Sequence, residues 1–158
     1  VMPGLIDSHV HLTSETKKGA AADAFTLNPA DVAFESLKYA NATLMSGFTT
    51  VRDLGGNGVN VAMRNAINKN SIVGPRVYTA GKSIATTGGH ADPTNSYRKD
   101  LMGNPGPNEG VINGPSEAYQ AVRQRYKDGS RLKMEQMHNL HLKRLKRLWL
   151  LRKIMVLR

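Results

Sequence analysis

His9 and His11, two residues apart in Leu5-Ile6-Asp7-Ser8-His9-Val10-His11-Leu12, are the side chains of this 158-residue chain whose type and spacing best suit chemistry. On an extended strand alternate residues project from one face, so the two imidazoles point the same way, roughly 7 Å apart along the strand. Neutral imidazole is a good ligand for zinc and similar divalent ions, and a pair of this kind can grip one cation while a position stays open for water. The spacing alone is weak, since surface or hydrogen-bonded histidines recur at it by chance. Cysteine is absent, which excludes disulfides and thiolate metal sites and leaves His, carboxylate or modified Lys as the available ligands.

The elements that must position the pair follow from patterning. Leu5 to Leu12 begins apolar and then alternates, which predicts a buried strand with the two histidines at its end. Small and polar residues from Thr13 to Thr26 read as a loop. Asn28-Pro29-Ala30-Asp31 opens a helix with Pro in its first turn and Asp31 at its positive end. Val32, Leu37, Ala40, Leu44 and Met45 form its apolar stripe, and Ser46-Gly47 closes it. Phe48 to Asp53 is short and β-branched, a second strand, and Gly55-Gly56-Asn57-Gly58 is a turn. Val61 to Lys69 reads as a helix and Arg76 to Ala80 as a third strand. The Gly-, Pro- and Asn-rich stretch from Gly81 to Pro115 is too long for a mere connection and is either functional or flexible. Ser116, read as a cap, starts a helix to Lys127.

Such alternation builds an α/β fold, a parallel sheet with helices outside it. Parallel sheets carry their sites at the carboxyl ends of the strands, where His9, His11, Asp53 and the loop from Gly81 to His90 fall.

Val1-Met2-Pro3-Gly4-Leu5-Ile6-Asp7-Ser8-His9-Val10-His11-Leu12 resembles the amidohydrolase superfamily signature, Pro-Gly, two hydrophobic residues, then Asp-x-His-x-His at the end of a barrel's first strand. Gly47-Phe48-Thr49-Thr50-Val51-Arg52-Asp53, Gly74-Pro75-Arg76-Val77 and Thr87-Gly88-Gly89-His90 resemble, in order and spacing, the branch with imidazolonepropionase-like enzymes and Xaa-Pro dipeptidases. The resemblance spans residues 1–130. It implies a partial TIM-type (β/α) barrel, the first three or so β/α units. It also implies a metal-dependent hydrolase of amide or dipeptide C–N bonds with two divalent metals, zinc foremost. His9 and His11 would bind the more buried metal and His90 would face substrate; Arg52 and Asp53 read as structural. A bridging carboxylated Lys, two further His and an Asp belong to later strands of that family. Only the first two ligands are matched here, so the chain is expected to lack turnover. A chain of this length is also short for barrels of roughly 200 to 400 residues.

The net charge of +10 is concentrated at one end: residues 131–158 hold nine Lys or Arg against Glu135. Residues 1–130 are nearly balanced, which argues against a specific nucleic-acid binder. No apolar run long enough for a transmembrane helix and no secretory leader pattern is present. A soluble protein is expected, cytoplasmic, or periplasmic if a leader has been lost. Exposed sheet edges would favour self-association.

Two readings of the tail compete. Taken as it stands, the tail is expected to be able to form a helix with Leu142, Leu145, Leu148, Trp149 and Ile154 towards one face and Lys143, Arg144, Lys146, Arg147 and Lys153 elsewhere. That pattern, irregular or helical, would make the chain a basic-tailed binding module for anionic lipid or nucleic acid, and a third reading is a noncatalytic metal-binding protein. Alternatively, the tail is read out of frame. Permitted codons for residues 131–158, regrouped so that each new codon takes the third base of one and the first two of the next, spell a different segment. It carries Thr-Leu-Glu-Glu, then Val, Ile and Ala at helical spacing, then a closing Gly, which has the logic of a capped amphipathic helix. On this reading the coding DNA will show third bases that permit that segment; sequencing the gene checks it, and incompatible third bases end the idea.

Overall fold

The computed structural model describes residues 2–130. The basic tail, residues 131–158, and every expectation placed on it lie outside the described residues.

Three strands, β1 (Leu5–Val10), β2 (Phe48–Asp53) and β3 (Arg76–Thr79), pair in parallel in the order β1-β2-β3. Between β1 and β2 run α1 (Ala20–Thr26) and α2 (Pro29–Met45); α3 (Val59–Asn68) connects β2 to β3. After β3 come a short α4 (Lys99–Met102) and α5 (Pro115–Lys127). The α/β alternation expected from patterning is therefore the observed one.

Strand periodicity decides which sheet face the helices cover. Val51 and Val77 are register partners and buried, whereas Arg52 and Tyr78, the next pair along, are exposed. With Leu12, Ala40 and Met63, the two valines form the core, and Val10, Phe48, Ile67 and Ile72 pack around them. Helices α2 and α3 lie against this side, α2 on β2 and α3 on β3. On the other side Ile6 is 73% exposed and Tyr78 51%.

Helix α2 begins as its sequence requires. Asn28 sits in extended conformation, its side chain receives the N3 backbone N–H, and Asp31 accepts the Asn28 backbone N–H at 2.9 Å. These reciprocal bonds form a capping box, with Pro29 supplying a preset φ. Gly47, at φ 92°, turns the chain out of the helix, and its carbonyl accepts the Leu5 N–H at 2.9 Å, tying the exit of α2 to the start of β1.

Several expectations need correction. The stretch from Thr13 to Thr26 is not all loop: its alanines support α1, Ala being the strongest helix former. Met45 is 77% exposed, because α2 meets its neighbours through the small residues Ser36 and Ala40 further up the helix. Helix α3 starts at Val59, earlier than expected, so that Val59, Val61 and Met63 are all buried. Ser116 does not cap α5; Gly114 holds that position without a side-chain bond, and Pro115 opens the helix. The stretch from Gly81 to Pro115 contains α4 and an isolated parallel bridge between Ala85 and Val111, so part of it is regular.

Replacing Val51 by Ala removes methyl groups from the centre of this core and is expected to cost about 2 kcal/mol. Phe34→Ala, at a site 74% exposed, should change stability by less than about 0.5 kcal/mol. Urea denaturation of the two variants checks both, and equal effects would mean that the covered face of the sheet is not the core.

Candidate metal centre

His9 lies within β1 and His11 immediately beyond its end. The register with β2 slips between Asp7, which pairs with Val51, and Val10, which pairs with Asp53, so β1 carries one residue more than its partner over this span. An extra residue in a strand takes backbone groups out of the ladder and re-aims side chains. The local sequence supplies a substitute partner: the His9 N–H donates to Asp7 Oδ1 at 2.9 Å.

The structure brings the two imidazoles together. Their ring centroids are 5.4 Å apart and their planes meet at 72°. Two histidines bound to one tetrahedral ion, each nitrogen about 2 Å from it, would place their ring centroids about 5 Å apart. The pair therefore fits a shared cation in spacing, and both side chains are exposed and accessible to one.

His11 is also oriented. Its Nδ1 lies 3.2 Å from the Gly55 carbonyl. A carbonyl oxygen only accepts, so Nδ1 carries the proton and Nε2 keeps its lone pair for a ligand. Fixing the free nitrogen through a hydrogen bond on the other one is how protein shells prepare a histidine for metal. Gly55 itself is buried, and a Cβ there would run into the Ser83 hydroxyl and stand 3.7 Å from His11 Cε1. The ends of all three strands thus converge: His11 after β1, Gly55 after β2, Ser83 after β3.

Asp53, at the end of β2, is fully buried and accepts the Leu12 N–H at 2.9 Å, the Gly55 N–H at 3.2 Å and the Asn60 side-chain amide at 2.9 Å. Neighbouring Arg52 is exposed.

His90 is exposed on a turn organised by Asp92. Asp92, 8% exposed, accepts the Gly88 N–H at 2.9 Å, the Thr94 N–H at 3.0 Å and the Thr94 hydroxyl at 2.9 Å. These donors, the Thr94 amide first and the Gly88 amide next, hold the Asp92 carboxyl below its ordinary value. Thr87 and Asn113 exchange hydrogen bonds across the same loop.

Among the described residues, no group of three or more His, Cys, Asp or Glu side chains converges as for a metal ion. His90 does not join the pair. What these residues can do together is present two imidazoles, one of them with a fixed tautomer, to a single cation. The Gly55 carbonyl and the Asp7 carboxylate were not foreseen as parts of the site. A carboxylate two residues before His9 was a legible signal, whereas a main-chain acceptor forty-four residues away in sequence was not.

Residues 1–143 match the model of the amidohydrolase family. Among solved structures, the chain is 50% identical to a Xaa-Pro dipeptidase with methionine bound in its active site, with a TM-score of 0.75, covering 81% of this chain and 32% of that one. It is 31% identical to a prolidase complexed with N-methylphosphonate-L-proline, with a TM-score of 0.67, covering 82% of this chain and 32% of that one. The ochratoxinase of Aspergillus niger is 30% identical over 144 residues, 84% of this chain and 30% of the relative. The chain thus spans about a third of the length of the proteins it matches.

The Asp92 turn has a testable pH dependence. Because its carboxyl is depressed in the folded protein, the stabilisation from its hydrogen bonds is fully present above the ordinary value of 3.8 and is lost as pH falls through the lower folded value. The Gly88 and Thr94 amide resonances should stay fixed from neutrality to about pH 4 and move only below it. Asp92→Asn should displace them already at neutral pH. An NMR titration reads both, and movement well above pH 4 in the unaltered chain would contradict this account.

Proposed function

The chain belongs to the amidohydrolase family, and from that premise we propose that residues 2–130 contribute the metal-gripping end of a hydrolase that cleaves C–N bonds in amides or dipeptides, with Xaa-Pro dipeptides as the substrate class. The substrate class rests on the dipeptidase and prolidase among the similar structures. In this reading β1, β2 and β3 are the first strands of a (β/α) barrel, residues 1–130 are barrel, and residues 131–158 are a separate basic tail that is read out of frame.

The observation that carries the proposal is the His9–His11 pair, 5.4 Å between ring centroids, with His11 Nδ1 committed to the Gly55 carbonyl. His9 and His11 are the ligands for a divalent cation of the zinc type. Such an ion supplies, when bound, a Lewis acid for a carbonyl oxygen and a water of lowered pKa. The chain's own residues hold and orient. Asp7 and the extra residue in β1 set His9, Gly55 sets the free nitrogen of His11, and His90, on its pinned turn, is the residue assigned to meet substrate. Two imidazoles leave a tetrahedral ion half-coordinated, so these residues by themselves bind metal without turning over substrate.

Zinc titration of the purified chain tests this. His9→Ala and His11→Ala should each weaken zinc binding by about tenfold or more, with circular dichroism unchanged, and the zinc-loaded chain should release no proline from Xaa-Pro dipeptides above a zinc blank. Binding that is indifferent to both substitutions removes the ligand assignment, and sustained proline release removes the claim that these residues lack turnover.

A further inference from the structure

We propose that Asp53 is a positioning residue for His11: its buried carboxylate holds both the chain that carries this imidazole and the peptide that fixes its tautomer. The proposal rests on the metal-ligand reading of His11 for its functional meaning, while its geometry stands apart from it.

Asp53 ends the central strand, with Val10 of β1 as one register partner and Thr79 of β3 as the other. Its two oxygens divide the work. Oδ2 accepts the N–H of Leu12, the residue after His11, at 2.9 Å. Oδ1 accepts the N–H of Gly55 at 3.2 Å, and the carbonyl of that same Gly55 faces His11 Nδ1. One carboxylate therefore sets the position of the imidazole's backbone and of its hydrogen-bond acceptor together. Oδ1 also takes the Asn60 side-chain amide at 2.9 Å, and Asn60 reaches the Gly81 carbonyl at 3.4 Å, which anchors the group to α3 and to the loop after β3.

The backbone completes the frame: the Leu54 N–H donates to the Val10 carbonyl at 3.3 Å and the Ala80 N–H to the Asp53 carbonyl at 2.9 Å. Asp53 is 0% exposed, so it touches neither solvent nor substrate; whatever it does for the site it does through His11. An acceptor-only group is required, because three donors point at it. An amide of the same shape would turn an amino group towards at least one of them.

Asp53→Asn in the full chain tests the idea, with Val51→Ala as a control that loosens the core without touching these bonds. The direct readout is the His11 imidazole in nitrogen-resolved NMR of the metal-free chain in mildly alkaline solution. The unaltered chain and Val51→Ala should show the proton on Nδ1, whereas Asp53→Asn should show a mixture of tautomers, with His90 unchanged as an internal reference. Zinc affinity should fall about 10- to 100-fold in Asp53→Asn and by less than about twofold in Val51→Ala. Should Asp53→Asn fail to fold, Asn60→Ala, which removes one of the three donors and keeps the carboxylate, should show the same tautomer shift in part. Retention of the Nδ1 proton together with zinc affinity equal to that of Val51→Ala, in every variant that folds, overturns the proposal. If the unaltered chain binds no zinc, the ligand reading fails while the tautomer comparison still decides the positioning role.

Discussion

A carboxylate taken fully out of water at the end of a central strand is costly unless every oxygen is met by a donor. At Asp53 that requirement organises the neighbourhood: the turn after β1, the turn after β2 and the first turn of α3 each give it a hydrogen bond. None of these segments is a regular strand, although Leu12 and Val59 beside these bonds are buried. Their common bond to one charge makes three strand ends into a single platform. The paired imidazoles stand on that platform, and their spacing is only as well defined as it is.

The strand beneath the imidazoles departs from regularity just before the residues that carry them. An ideal ladder would fix His9 by its backbone alone, yet the slip of register between Asp7 and Val10 releases it. Asp7 recovers the lost bond through its side chain. The site is thus built on two carboxylates used as backbone acceptors, one exposed to water in part and one wholly buried.

Much of this could be read in advance from particular residues. Phe48 to Asp53 is β-branched and short, and it is a strand over the same bounds; Asn28-Pro29 with Asp31 opens a helix where the residues say it should. The closeness of His9 and His11 follows from their spacing of two, whereas the extra residue that shifts the alternation of β1 between Asp7 and Val10 has no signal in the sequence. Met45 was misjudged because periodicity says which residues share a face and not how far along the helix the contact extends. α1 escaped because its alanines lack the apolar contrast that reveals a stripe. The Gly55 carbonyl was invisible for a deeper reason, since every residue but its position is the same at the level of the main chain. The tail, residues 131–158, lies outside the described residues and leaves its readings as they were.

The acceptor that steers His11 belongs to the backbone, and this changes how the locus can vary through descent. No codon change deletes a peptide oxygen. A mutational scan would therefore register position 55 through bulk alone, because the Ser83 hydroxyl stands where a Cβ would go. The electronic instruction given to the imidazole would leave no trace in side-chain identity, and a comparison of kindred sequences would see only a premium on smallness where the molecule keeps one of its orienting contacts.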